Sequence, residues 1–261
     1  MTQPTPHAEL TTQSRPRRAP VEFPEYELMS EGKPHLHLRT FLYQLFRHHF
    51  AETCAIGSDQ FVYWNARDPK QKLSPDVFLR KGMKDFSFGS WKVWKHGAPH
   101  LSVEVISPRE GELTWEEKFE RYLQVGVEEL VWFDPDSPQG KRLRVWDRVA
   151  NDLVDRQVKG DRTPCRTLGL HWVIAASADH PATLRLAEDA EGLRLLPSPV
   201  ESEAIARQAE AIARQAEAIA RQAEARARQT EATARQAEAI GRQVAEQRVR
   251  ELEEELRRRG G

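Results

Sequence analysis

The run Leu101-Ser102-Val103-Glu104-Val105-Ile106, then Thr114-Trp115-Glu116-Glu117-Lys118-Phe119-Glu120-Arg121-Tyr122-Leu123-Gln124-Val125-Gly126, then Leu130-Val131-Trp132-Phe133 decides the fold. The first and last pieces are short apolar runs bounded by turn residues, which predicts strands. Between them Trp115, Phe119, Tyr122 and Leu123 recur at i, i+4, i+7 and i+8, the period of one helix face. Thr114 stands three residues before Glu117, the spacing of a capping box, and Gly126 supplies the stop. Strand, helix and strand within about thirty residues make a βαβ unit, so part of the sheet should be parallel and covered by helices.

Nearer the N-terminus, Pro34 suits a first helical turn, and Leu38, Phe41, Leu42, Leu45 and Phe46 behind it form one apolar helical stripe. Residues 61–64 and 77–79 read as further strands, 143–146 as a weaker one, and 171–196 as small added strands. All seven Trp and all ten Phe precede residue 200, so one core of α/β type is expected there. Beyond it Glu-Ala-Ile-Ala-Arg-Gln-Ala repeats every seven residues, with Ile205, Ile212, Ile219 and Ile240 at one position and Ala209, Ala216, Ala223 and Ala237 four later. Period seven with two apolar seams predicts a long helix that pairs as a coiled coil. Arg226, Thr230 and Thr233 interrupt the seam and Gly241 weakens it, so a marginal or locally frayed pairing is expected. A single solvated helix held by internal Glu–Arg pairs is the alternative.

Lys and Arg total 39 against 40 Asp and Glu, which excludes a bulk basic footprint for nucleic acid and leaves only local contacts. Candidate patches are Arg15, Arg17 and Arg18, Lys81 with Lys84, Lys92 with Lys95, and Lys141 with Arg142 and Arg144. Two cysteines, Cys54 and Cys165, are too few and too far apart for a disulfide scaffold or a zinc site, and fit a reducing cytoplasm. No apolar run approaches the roughly 20 residues that span a bilayer, so no membrane partner is expected.

Two carboxylates fall where charge is expensive to bury: Asp76, opening Asp76-Val77-Phe78-Leu79, and Glu104 within its strand. Alternation puts Glu104 on the face opposite Leu101, Val103 and Val105, so it can open into a cleft. Lys118 lies three residues after Trp115 and four before Tyr122, on the flank of the buried stripe, from which it can reach the strand ends. Two carboxylates and an ammonium form a set able to hold a hard divalent cation, orient a water and offset charge on a phosphoryl group. His35, His37, Tyr122 and Trp94 read as structural.

The ordered series Ser74-Pro75-Asp76-Val77-Phe78-Leu79-Arg80-Lys81-Gly82, Trp94, Gly97-Ala98-Pro99, Val103-Glu104-Val105-Ile106-Ser107, Lys118, Tyr122, Gly126-Val127, Glu129, Phe133-Asp134-Pro135 and Leu168-Gly169-Leu170 resembles the Uma2-type restriction-endonuclease family of bacteria. That family is a branch of the PD-(D/E)XK nuclease superfamily, and the resemblance runs from about residue 26 to residue 170. It implies a restriction-endonuclease-like α/β fold, a central mixed sheet flanked by helices. It also implies Asp76 and Glu104 as ligands of magnesium, with manganese as a substitute, and Lys118 as the catalytic lysine. Orthodox members place that lysine two residues after the second acid; Ile106 stands there, so the lysine has moved to the helix, as in the named family. Glu31, four before His35, resembles an acidic residue at the start of the family's first helix and is a third candidate metal ligand, with a plain helix-terminus role as the alternative. Thr114 and His100 depart from the family, which usually has acidic residues at both places.

The expectation is therefore a disordered N-terminus over 1–20, a PD-(D/E)XK nuclease-like domain over 21–198 and a coiled-coil helical tail over 199–261. The expected activity is metal-dependent endonucleolytic hydrolysis of DNA phosphodiester bonds, with a homo-oligomer formed through residues 203–256. The rival reading is a catalytically silent DNA-binding or scaffold protein oligomerised by its coiled coil.

Overall fold

A computed structural model describes residues 21–24, 32–107, 114–177 and 179–260. The expected disordered stretch 1–20 and the candidate Glu31 lie outside the described residues. The chain divides into two compact units, Met1–Pro199 and Val200–Gly261.

The first unit opens with α1 (Lys33–Phe50), β1 (Cys54–Gly57), β2 (Val62–Tyr63), β3 (Lys72–Leu73), β4 (Val77–Lys81), β5 (Trp91–Lys92) and the one-turn α2 (Val93–His96). It continues with β6 (Leu101–Val105), α3 (Trp115–Val125), β7 (Glu129–Phe133), β8 (Leu143–Val149), β9 (Asp152–Arg156), β10 (Arg162–Cys165), β11 (Leu170–Ala175) and β12 (Thr183–Ala187). A six-stranded mixed sheet runs in the order β1-β4-β6-β7-β8-β9. Its parallel pair is β6 with β7, joined by α3, as the βαβ pattern requires. Every other neighbouring pair in this sheet is antiparallel.

Strand alternation sorts the side chains onto two faces. Val77, Leu79, Leu101, Val103, Val105, Val131 and Phe133 pack with α1 residues Leu38, Leu42 and Phe46 and with Trp172, Leu184 and Leu186 of the sheet β10-β11-β12. Phe78, Leu130 and Trp146 pack on the other face with Tyr122 and Val125 of α3 and with Val62, Leu73 and Trp91 of the small sheet β3-β2-β5. The central sheet is thus covered on both sides, which is why β6 reads as a nearly continuous apolar run.

The helix expected from the opening stretch forms as read. Thr114 accepts a hydrogen bond from the Glu117 amide while the Glu117 carboxylate accepts one from the Thr114 amide, closing the capping box. Gly126 takes the left-handed conformation at φ 87 that ends the helix. Aromatic packing fixes the helix against the sheet: Trp115 lies with its ring centroid 3.5 Å from that of Trp132 and 5.2 Å from that of Trp146, and Phe119 packs 5.7 Å from Trp146.

From Val200 onward the second unit is formed by α4 (Pro199–Arg259), a helix 61 residues long and without a break at Thr230, Thr233 or Gly241. Thr230 and Thr233 return their hydroxyls to the carbonyls of Arg226 and Gln229 at 2.9 Å, so each meets its own polar need inside the helix. Glu–Arg pairs four residues apart recur at each heptad from Glu203–Arg207 to Glu238–Arg242. No helix among the described residues is long and apolar enough to cross a membrane.

Candidate active site

β4 and β6 run antiparallel with Val77 opposite Val103 and Phe78 opposite Ser102. Asp76 stands immediately before β4, close enough to Glu104 for its charge to act on that carboxylate. The Asp76 carboxylate accepts the Val105 backbone N–H at 2.7 Å, which holds it beside the strand that carries Glu104. Asp76 is 8% exposed and Glu104 4% exposed. The two acids named from the sequence therefore share one buried site.

Lys118 reaches the same place from α3, with its Nζ 3.0 Å from Glu104 Oε2. Tyr122, four residues later on the same helix face, donates its hydroxyl to Glu104 Oε1. One carboxylate is thus gripped at both oxygens by a single helix. Burial raises the pKa of Glu104 above the ordinary carboxylate value; Lys118 opposes the rise, Asp76 adds to it, and the bonds from Tyr122 and Lys118 oppose it. Burial also pushes the Tyr122 phenol well up, and the negative charge of Glu104 pushes it further, so Tyr122 stays a donor.

On the Asp76 side, His35 of α1 places Nε2 3.2 Å from the carboxylate. Arg39, one turn further along α1, has its Nε 4.0 Å from Asp76 Oδ1 and bonds Ser58 Oγ at 3.2 Å. Ser58 Oγ donates in turn to the Asp76 carbonyl at 2.8 Å. Asp76 is fixed by three elements, β6, the α1 face and the segment after β1.

Two of the residues read as structural, His35 and Tyr122, contact the acidic pair directly. The signal that could have found them was spacing: Tyr122 is i+4 from Lys118, and a helix that presents one to a strand presents the other. His37 packs its ring 5.9 Å from that of His180, and Trp94 packs against Phe23, both away from the acids. Thr114 and His100 are used elsewhere, Thr114 in the cap and His100 as acceptor of the Lys81 amide at 2.9 Å.

The basic patches are mostly spent within the fold. Lys81 donates to the Thr167 carbonyl at 2.6 Å, Lys84 pairs with Glu52 at 2.8 Å, Arg142 donates to the Ser137 carbonyl at 2.9 Å and Arg144 pairs with Asp155 at 3.0 Å. Lys92 lies over the Phe23 ring, and Arg15, Arg17 and Arg18 lie outside the described residues.

Among the described residues no group of three or more His, Cys, Asp and Glu side chains is arranged to hold a metal ion. Asp76 and Glu104 are two hard oxygen donors. Magnesium is commonly bound by one or two carboxylates, with water and substrate phosphate completing its shell, and a carboxylate has lone pairs beyond those already engaged. The donor pair therefore fits a magnesium-type ion.

Residues 20–177, more than half of the chain, match the family model Uma2, described as "Putative restriction endonuclease". No curated protein matches the chain. Among solved structures the chain is similar to "a putative nuclease belonging to DUF820" from Anabaena variabilis ATCC 29413, at 13% identity over 54% of this chain and 76% of that one, with a TM-score of 0.37.

Proposed function

Because the chain belongs to the Uma2 family of restriction-endonuclease-like proteins, we propose that residues 21–198 act as a metal-dependent endonuclease that hydrolyses DNA phosphodiester bonds. The observation that carries this reading is the buried Glu104 carboxylate, with Lys118 at 3.0 Å and Asp76 held nearby by the Val105 amide at 2.7 Å. Asp76 and Glu104 would hold magnesium or manganese, which when bound supplies Lewis acidity toward a phosphoryl oxygen. Lys118 places a positive charge beside the cleft, where it offsets charge developing on the phosphoryl group and orients the attacking water. Tyr122 holds Glu104 in one orientation, and His35 and Arg39 do the same for Asp76. A cytoplasmic site of action belongs to the same proposal, supported by two buried free thiols, Cys54 and Cys165. So does self-association through residues 203–256, supported by the Ile and Ala seams of the heptad repeat.

The test is magnesium-dependent nicking of plasmid DNA by the full chain beside Glu104→Gln and Lys118→Ala, with circular dichroism to verify folding. Each substitution should lower the rate by about three orders of magnitude, about 4 kcal/mol of transition-state stabilisation. A folded Glu104→Gln protein that cuts at the wild-type rate removes the assignment.

A further inference from the structure

Resting on the self-association proposed above, we infer that two copies of α4 pair antiparallel, with the register set so that residue n of one helix meets residue 449 − n of the other. The inference comes from how the seven heptad positions are filled. The seam consists of the row Ala209, Ala216, Ala223, Thr230, Ala237, Val244 and the row Ile205, Ile212, Ile219, Arg226, Thr233, Ile240. Every Ile in this seam is exposed in the single chain, and no residue of α4 is buried. The Glu–Arg pairs sit on the opposite side of the helix, so each charge in them is answered within its own chain. An unbroken 61-residue helix, about 90 Å long, thereby leaves the apolar stripe from Ile205 to Val244 uncovered.

Orientation follows from size and charge. In a parallel in-register pair each layer sets a residue against its own copy, so bulky Ile–Ile layers alternate with empty Ala–Ala layers and Arg226 faces Arg226 in the seam. In an antiparallel pair the two rows face each other. Ile212 then meets Ala237, Ala209 meets Ile240 and Ala216 meets Thr233, so large faces small and the layers are even. Arg226 meets Ala223, whose short side chain leaves the guanidinium room to bend out to water. The stripe begins at Ile205 and ends at Val244, and the stated register sets these two ends against each other, leaving no Ile of the repeat uncovered.

The flanks agree. One flanking position is Gln at every heptad from Gln208 to Gln243, and the other is Ala at every heptad from Ala206 to Ala234, then Gly241. Antiparallel helices bring like flank against like. Gln then meets Gln, whose amides offer both donor and acceptor, while Ala and Gly on the other side let the backbones approach closely. A parallel pair would set Gln against Ala on both sides and use neither property. Gly241, read from sequence as a weak point, is in this arrangement a place of close contact.

The test uses the full chain with Ile212→Cys and Ala237→Cys made separately; native Cys54 and Cys165 are buried and serve as the unreactive background. Wild type should sediment at twice the chain mass. On mild oxidation the mixture of the two variants should give a disulfide-linked dimer that neither gives alone, because each thiol is about 37 Å from its own copy but faces the other variant's thiol. A monomer in sedimentation overturns self-association itself. A dimer in which Ile212→Cys cross-links to itself keeps self-association and overturns the antiparallel assignment. A dimer with no cross-link in the mixture overturns the register.

Discussion

Glu104 and Glu129 lie on neighbouring parallel strands, β6 and β7, and are both nearly closed to solvent, at 4% and 1% exposure. They face opposite sides of the sheet. Glu129 is met by Arg156 at 3.1 Å, the Thr167 amide at 2.8 Å and the Trp172 indole N–H at 3.3 Å, with the Cys165 thiol 3.9 Å away. Its donors come from β9, β10, β11 and the turn between the last two, so this carboxylate ties the added three-stranded sheet to the central one. Among the described residues Glu104 takes its side-chain bonds from Lys118 and Tyr122 of α3, and it shares its site with a second carboxylate. A buried acid saturated by fixed donors and a strong cation is a structural joint. A buried acid paired with a lysine and opposed by another acid is poised to bind something positive.

That contrast can be broken most forcefully at Glu129. Replacing Glu129 by Ala removes one of the two carboxylates that meet Arg156, leaving it Asp147 and the Pro164 carbonyl, and leaves the Thr167 amide and the Trp172 indole without this acceptor. The expected loss is about 3–5 kcal/mol in urea denaturation, with Asp76 and Glu104 untouched. A Glu129→Ala protein as stable as wild type would dissolve the distinction between the two acids.

A smaller effect is expected from Tyr122→Phe, which removes one donor from Glu104 and keeps the ring that packs in the core. The charged hydrogen bond contributes about 1.5–3 kcal/mol, read as a lower denaturation midpoint, and the cleavage rate should fall with it. A change in neither would leave Tyr122 as packing alone.

The smallest effect is a slope. Since Glu104 has a raised pKa in the fold, the folded protein keeps a proton that the unfolded chain has already released. Stability from this group is therefore full below the unfolded carboxyl value and is lost as pH rises through the folded one. In metal-free buffer, thermal midpoints from about pH 4 to 8 should fall less steeply in Glu104→Gln than in wild type. An identical slope would mean that Glu104 titrates normally.

The parts of this architecture with a period were legible from residues alone. The α1 stripe, the capped α3 and the β6–α3–β7 unit each carry a local rule; α3, β6 and β7 form within a residue of their expected bounds, and α1 starts beside Pro34 and runs four residues past Phe46, the last residue of its stripe. β1 was not legible: Cys54-Ala55-Ile56-Gly57 is buried throughout and four residues long, too short to show alternation. β10 alternates and β9 buries Leu153 alone, and their sequences, Asp152-Leu153-Val154-Asp155-Arg156 and Arg162-Thr163-Pro164-Cys165, carry polar residues and a proline that disguise strands at a sheet edge. At the site, the acids and the lysine stood out because charge in an apolar run is costly. His35 and Tyr122 did not, because each has a bland role in a core that only three-dimensional proximity overrules.

Lys118 and Tyr122 hold Glu104 from one helix, four residues apart, and the phase of that helix is set by the Thr114 cap at its start. Deleting one residue between the cap and Lys118 would turn both side chains about 100° from the strand while leaving helix length and composition almost unchanged. A lineage carrying this site can therefore accept point changes along the outer face of the helix freely, but insertions and deletions in its first turn only at the cost of the whole grip on the carboxylate.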